Sequence, residues 1–239
     1  MSDKNAKDVK NYHSGHRSRL RSRYLSNGID ALAEHEVLEL VLFYSIPRKD
    51  TKVIAYKLIE HFGSFANVFD APIEALIKFG LTPVSASHIK LFSDVNSRME
   101  REELLSKKTP DYDELGEYAV RELGKGTGER VIAFLMDSKD KVIDIVTISE
   151  GISDSAEMNI KKLNEICVLK KISKVVLAHN HPAGSKQPSF NDCMTTHSLQ
   201  NFFGKIGIEV AEHYIVSGKE FVGLKKYEQM KQLVPIEDK

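Results

Sequence analysis

The chain is 239 residues long, 41% hydrophobic and 28% charged, a composition of ordinary globular proteins and enough length for two modest domains. No run approaches the roughly 18 consecutive apolar residues of a membrane span, and the opening MSDKNAKDVK lacks the apolar core of a signal peptide, so no membrane contact and a cytoplasmic location are expected. Lys and Arg number 34 and Asp and Glu 34, while the two cysteines, Cys167 and Cys193, form no CxxC pair and exclude a disulfide framework or thiolate zinc knuckle.

The neutral total hides a basic start. Residues 1–23 carry Lys4, Lys7, Lys10, Arg17, Arg19, Arg21 and Arg23 against Asp3 and Asp8. This arm either neutralises nucleic-acid phosphates or is a solvated tail and helix face. From Gly15 to about Leu105 apolar residues recur at spacings of three and four, as in HEVLELVLFYSI, TKVIAYKLIEHFGSF, PIEALIKFG and SHIKLFSDVNSRME. Gly63 and Gly80 stand where left-handed residues end helices, and Pro47, Pro72 and Pro83 fall between helices. The pattern predicts a separate all-α N-terminal domain over residues 1–106. Polar KKTPDYD, residues 107–113, is the expected linker to a second domain at 114–239.

The periodicity then changes. A short helix at 114–123 and a glycine-rich GKGTGE turn precede two strand-length runs, ERVIAFLMD and KVIDIVTIS, joined as a hairpin by SKDK. An amphipathic helix follows at about 154–170, with Ile160, Leu163, Ile166 and Cys167 on one stripe. ISKVVLAH reads as a buried central strand, Ser189 to Phe203 as a helix, and IEVAEHYIV and EFVGL as two last strands. Strands mixed with crossover helices predict a three-layer α/β domain on a mixed sheet.

The stretch AHNHPAGSKQPSFND, residues 178–192, joins the central strand to its helix. Side chains alternate along a strand, so His179 and His181 project to one side, roughly 6–7 Å apart at Cα, and can converge on one ion. Asp192 supplies a third donor if it faces back from the helix start. Two imidazoles and one carboxylate leave one corner of a tetrahedral zinc ion open, the arrangement of a catalytic site. Two plainer readings stand beside this one. Ser189-x-x-Asp192 is also a capping box, and His-x-His is also a pair of hydrogen-bonded loop residues.

His179-x-His181, seven residues, then Ser189-x-x-Asp192 resembles the H-x-H-(7)-S-x-x-D motif of JAMM metalloproteases, which have the JAB/MPN fold. The fuller HNHPAG and PSFND, with the N-terminal GHRSRLRSRYLSNGIDALAEHEVLEL, IPRKDTK and LIEHFGSF, resemble the RadC family over most of the chain. The resemblance implies a JAB/MPN-like C-terminal domain and a zinc-dependent hydrolase cutting an amide or isopeptide bond in a peptide or protein. It also implies a glutamate opening the first strand, eight residues before an aspartate: Glu129 with Asp137. Glu129 would be the general base, taking a proton from the attacking water and returning it to the leaving amine. Ser189 would orient the water or stabilise the oxyanion.

Departures from the family pattern carry expectations of their own. Ala183 stands where the family has Ser, and Glu212-His213 where it has Asp-His, which predicts a lengthened or missing contact behind the metal ligands. GLTPVSASHIK replaces the Gly-x-Gly turn of a helix-hairpin-helix and offers fewer backbone N–H groups to DNA phosphate. His35-Glu36-Val37-Leu38-Glu39 ends in Glu where a zincin needs His, and GKGTGE lacks the ending of a P-loop. No P-C-x-x-C accompanies an H-x-E, as a zinc nucleobase deaminase requires. His13, His16, His61, His88 and His197 read as surface or helix-face residues. Two alternatives to the hydrolase remain: a DNA-associated repair factor or metal-dependent nuclease using the arm at 1–23, and an interaction module with a structural metal.

Overall fold

A computed structural model describes residues 15–124, 128–151, 159–182 and 184–225. The first fourteen residues of the basic arm, Ala183, the centre of the GKGTGE turn and the start expected for the helix at 154–170 lie outside the described residues. The chain forms two compact units, residues 1–96 and 97–239. No described helix is long and apolar enough to cross a membrane.

The first unit is all-α. Its helices are α1 (His16–Asn27), α2 (Glu34–Ser45), α3 (Lys52–Phe62), α4 (Phe65–Asp70), α5 (Ile73–Phe79) and α6 (Pro83–Ser106), the last running on into the second unit. Gly63 at φ 83° and Gly80 at φ 120° end α3 and α5 in the left-handed region, as their positions predict. Leu38, Leu42, Leu58, Leu76 and Ile89 fill the core from four of these helices, each burial contributing roughly 1.5–3 kcal/mol. Thr82 Oγ1 accepts the Ser85 N–H at the start of α6, and Pro83 has no N–H to offer.

The described part of the basic arm is folded. Arg17 donates to the carbonyls of Ile46 and Lys49 beyond the end of α2, at 2.5 and 2.7 Å, and its guanidinium lies 4.5 Å over the Phe43 ring. Arg23 pairs with Glu36. His16, expected as a surface or helix-face residue, lies on α1 with its side chain 33% exposed, and its Nε2 lies 2.8 Å from Oε2 of Glu39, a fully buried carboxylate on α2. The helical period of α2 placed Glu39 beside Leu38 and Leu42, and the sequence pattern held no sign that a ring from α1 would cover it.

The second unit is a mixed sheet between helical layers. After α7 (Tyr112–Leu123) come β1 (Glu129–Met136), β2 (Val142–Gly151), α8 (Ile160–Leu169), β3 (Lys174–Asn180), α9 (Phe190–Gly204), β4 (Glu209–Ser217) and β5 (Glu220–Gly223). The strand order is β2-β1-β3-β4-β5, antiparallel except for the β3/β4 pair, which is parallel and crosses over through α9. β3 is central and buried along all but its first residue. Alternation sends Val176 and Ala178 to the face covered by α7 and Val175 and Leu177 to the face covered by α8 and α9, so one strand feeds two cores. A Cβ on Gly116 of α7 would sit 2.2 Å from the Phe221 ring of β5, so only glycine lets helix and strand approach this closely. Asp137 closes the β1/β2 hairpin as a turn residue, its Oδ1 accepting the N–H groups of Lys139 and Lys141.

Candidate metal centre

The C-terminal end of β3 sets the site. His181 N donates to Val216 O at 2.8 Å, so the parallel pairing continues one residue past the strand and keeps His181 on the side of His179. Asn180 between them points to the other face. Its Oδ1 accepts the Arg130 N–H at 2.8 Å and its Nδ2 donates to Gly128 O at 3.1 Å, which fixes the backbone on both sides of Glu129. Val131 pairs with His179 across the β1/β3 ladder, so Glu129, two residues earlier and half-buried, takes a register position on the same face, at the site end of β1.

The third donor comes from the first turn of α9. Ser189 is the N-cap: its Oγ accepts the Asp192 N–H at 3.1 Å, and its own N–H donates to Asp192 Oδ2 at 2.7 Å. This is the capping box that the spacing predicts, and it aims the carboxylate at the histidines. Asp192 Oδ1 lies 3.2 Å from His179 Nε2 and Oδ2 lies 3.3 Å from His181 Nε2, while the two Nε2 atoms are 2.8 Å apart. The cap and the ligand reading are therefore two uses of one residue. His179, His181 and Asp192 form the group of ligating side chains in the described residues that could hold a metal ion.

These donors fit zinc. Bonds of about 2.0–2.2 Å in a tetrahedron place ligand atoms roughly 3.3–3.6 Å apart; the two nitrogen–oxygen contacts come within a few tenths of an ångström of this, and the two ring nitrogens, 2.8 Å apart, would have to separate by about half an ångström or more. Two ring nitrogens and a carboxylate oxygen are a borderline set of the kind zinc accepts. Burial opposes ionisation of Asp192, but His179 and both hydrogen bonds from Ser189 outweigh it and hold the carboxyl below the usual carboxylate range.

Behind these side chains stand His213, singled out in the sequence only through the Glu212-His213 departure, and Thr196, which sequence reading did not assign. His213 on β4 is buried, its Nε2 2.8 Å from His179 Nδ1, so the contact expected to lengthen or vanish at Glu212-His213 is short on the histidine side. Burial pushes its pKa down to about 3. Thr196, one turn after Asp192 and also buried, reaches His213 Nδ1 at 2.6 Å. A histidine and a threonine at inward positions among apolar neighbours were the available signal. Glu212 faces the other way, its Oε1 accepting the N–H groups of His213 and Lys225. A cavity of about 500 Å³ lined by Tyr112, Glu212, Tyr214, Phe221 and Lys225 opens on that α7 face, away from the histidines, and gathers no comparable set of ligand atoms.

A family model described as RadC-like JAB domain matches residues 109–230. This chain belongs to the RadC-like JAB family. UPF0758 protein FN0909 of Fusobacterium nucleatum subsp. nucleatum is 32% identical to it over 216 residues, covering 87% of this chain and 93% of that protein. UPF0758 protein SPO0054 of Ruegeria pomeroyi is 30% identical over 207 residues, covering 86% and 92%. The match to the RadC-like JAB domain spans every strand of the sheet and the whole histidine and aspartate group. Neither relative's name states an activity.

Proposed function

We propose that this RadC-like protein is a zinc-dependent hydrolase of JAMM type that cuts an amide or isopeptide bond in a peptide or protein, in the cytoplasm. One observation carries the reading: at the rim of a central strand the two ring Nε2 atoms lie 2.8 Å apart, each with its own Asp192 oxygen at 3.2 or 3.3 Å, and one ligand atom from each residue lies within 4.8 Å of the others. The side chains are 10, 16 and 14% exposed, and three protein donors would leave one corner of a tetrahedral ion for water, as a catalytic site requires. The donor set also favours this class over a nuclease, which more often gathers several carboxylates around magnesium or manganese.

Zinc bound there would acidify a water molecule and polarise the scissile carbonyl. Glu129, on the same face of β1, accepts the proton as the water oxygen attacks the carbonyl carbon. It returns that proton to the nitrogen as the C–N bond breaks, leaving an amine, a carboxylic acid that then loses its proton to solvent or to the amine, and a restored Glu129. Ser189 contributes a donor. Its hydroxyl, at the N-cap of α9 beside Asp192, would orient the water or stabilise the oxyanion.

Elemental analysis should find about one zinc per chain, and Glu129→Gln should keep that zinc while cleavage of an isopeptide-linked substrate falls by at least about 100-fold. A folded protein that takes up no zinc would end the hydrolase reading, and an active Glu129→Gln would move the base elsewhere.

A further inference from the structure

The two imidazoles are oriented by different means. His181 Nδ1 lies 2.8 Å from Ser185 O, and a carbonyl only accepts, so the proton is on Nδ1 and the lone pair on Nε2. His179 has a ring partner instead, His213 Nε2 at 2.8 Å, and either nitrogen of that contact could be the donor. The direction is decided further along the chain of contacts.

Thr196 Oγ1 lies 2.6 Å from Asp192 O, one turn back on α9, and 2.6 Å from His213 Nδ1. A hydroxyl has one proton, and the Asp192 carbonyl can only accept it. Oγ1 must therefore accept from His213, which places a proton on His213 Nδ1. The His213 ring is 2% exposed, and a buried imidazole with no carboxylate bonded to it stays neutral and holds one proton only. Its Nε2 is then an acceptor, so His179 Nδ1–H is the donor. His179 Nε2, like His181 Nε2, is then the ring atom left for a cation placed between the rings and the Asp192 oxygens, which lie 3.2 and 3.3 Å from them.

We propose that Thr196 and His213 are positioning residues, a one-way hydrogen-bond relay running from His179 to the first turn of α9 that holds His179 in the Nδ1–H tautomer with Nε2 bare. The relay closes a ring. Asp192 gives its side chain to the metal position and its carbonyl to the far end of the relay, so α9 sets both a ligand and the tautomer of its neighbour. The geometry of the metal position rests on the hydrolase reading above, whereas the direction of the relay rests on Thr196 alone.

The test uses the full chain with ¹⁵N-labelled histidine and a pair of substitutions. Thr196→Val keeps the shape and removes the acceptor; Thr196→Ser restores it. Long-range ¹H–¹⁵N spectra should show His213 as the Nδ1–H tautomer in the wild type and in Thr196→Ser. Zinc affinity, by chelator competition, should fall roughly 10–100-fold in Thr196→Val, with Thr196→Ser near wild type. A wild-type His213 protonated on Nε2 would overturn the relay, and so would a folded Thr196→Val with wild-type zinc affinity. If the wild type binds no zinc, the metal reading fails and the His213 tautomer by itself decides the relay. It also decides if Thr196→Val does not fold.

Discussion

Glu39 in the helical unit and Asp192 in the sheet unit each meet a histidine Nε2 at short range, 2.8 Å from His16 in the first case and 3.2 Å from His179 in the second. Glu39 is the more buried of the two, with no exposed side-chain surface against 14% for Asp192. Yet of these two carboxylates only Asp192 meets two rings at once. Glu39 projects from the middle of α2, meets a single ring with Oε2, and leaves Oε1 without a hydrogen bond. Asp192 sits in the first turn of α9, where its cap turns both oxygens toward two rings held by a strand and a carbonyl. Burial of a carboxylate under an imidazole is therefore not enough to suggest a metal site; it is the convergence of donors from a strand and a helix that makes the second group a candidate.

Replacing donors one at a time breaks the comparison most severely. His181→Ala or Asp192→Asn should lower zinc affinity by more than about 100-fold, beyond what loss of a supporting residue costs, as measured by chelator competition. Asparagine can still accept the Ser189 N–H, so the second variant removes charge and spares much of the cap. Retention of a full zinc equivalent by either would mean that another residue completes the site.

A third carboxylate sharpens the contrast, since Asp144 is fully partnered and has no vacancy for a metal. Its Oδ1 accepts from Arg101 at 2.6 Å and from Ile145 N at 2.8 Å, and Lys170 lies 2.8 Å from Oδ2. Burial resists its ionisation, but Lys170, the Ile145 N–H and Arg101 together hold the pKa down. A depressed carboxylate pKa stabilises the fold above the unfolded value, and that stability is lost as pH falls through the folded one. Asp144→Asn should cost about 1–3 kcal/mol at pH 7 and little once the wild-type group is protonated. Chemical unfolding at both pH values checks it; an equal cost in acid would assign the effect to packing.

Much of this was legible before any coordinates, for identifiable reasons. The helical period, the glycine stops and the alternation of β3 are local patterns, and they placed the helices, the central strand and the shared side of His179 and His181. Ser189-x-x-Asp192 was legible as a cap and as a candidate ligand; the fold forms the cap and turns the same carboxylate toward both rings. The relay was not legible, because His213 lies 34 residues from His179 and Thr196 lies 17 from His213, so only the packing of α9 on β3 and β4 joins them. The same holds for Glu39, whose partner comes from a helix 23 residues earlier.

The smallest effect is expected at Glu39, and its size tests whether the helical unit hides a site of its own. Removing the carboxylate gives up the contact with His16, whose side chain is 33% exposed and can hydrogen-bond to water instead. It also removes a desolvated group with one oxygen unpartnered, and an apolar side chain of similar volume in place of such a group is often neutral or stabilising. Glu39→Met should therefore change the unfolding free energy by less than about 1 kcal/mol, with zinc content unaltered. Calorimetry of the full chain reads the first and elemental analysis the second. A loss of several kcal/mol would mean that Oε1 has a partner of its own, and a fall in zinc would extend the metal chemistry into the helical unit.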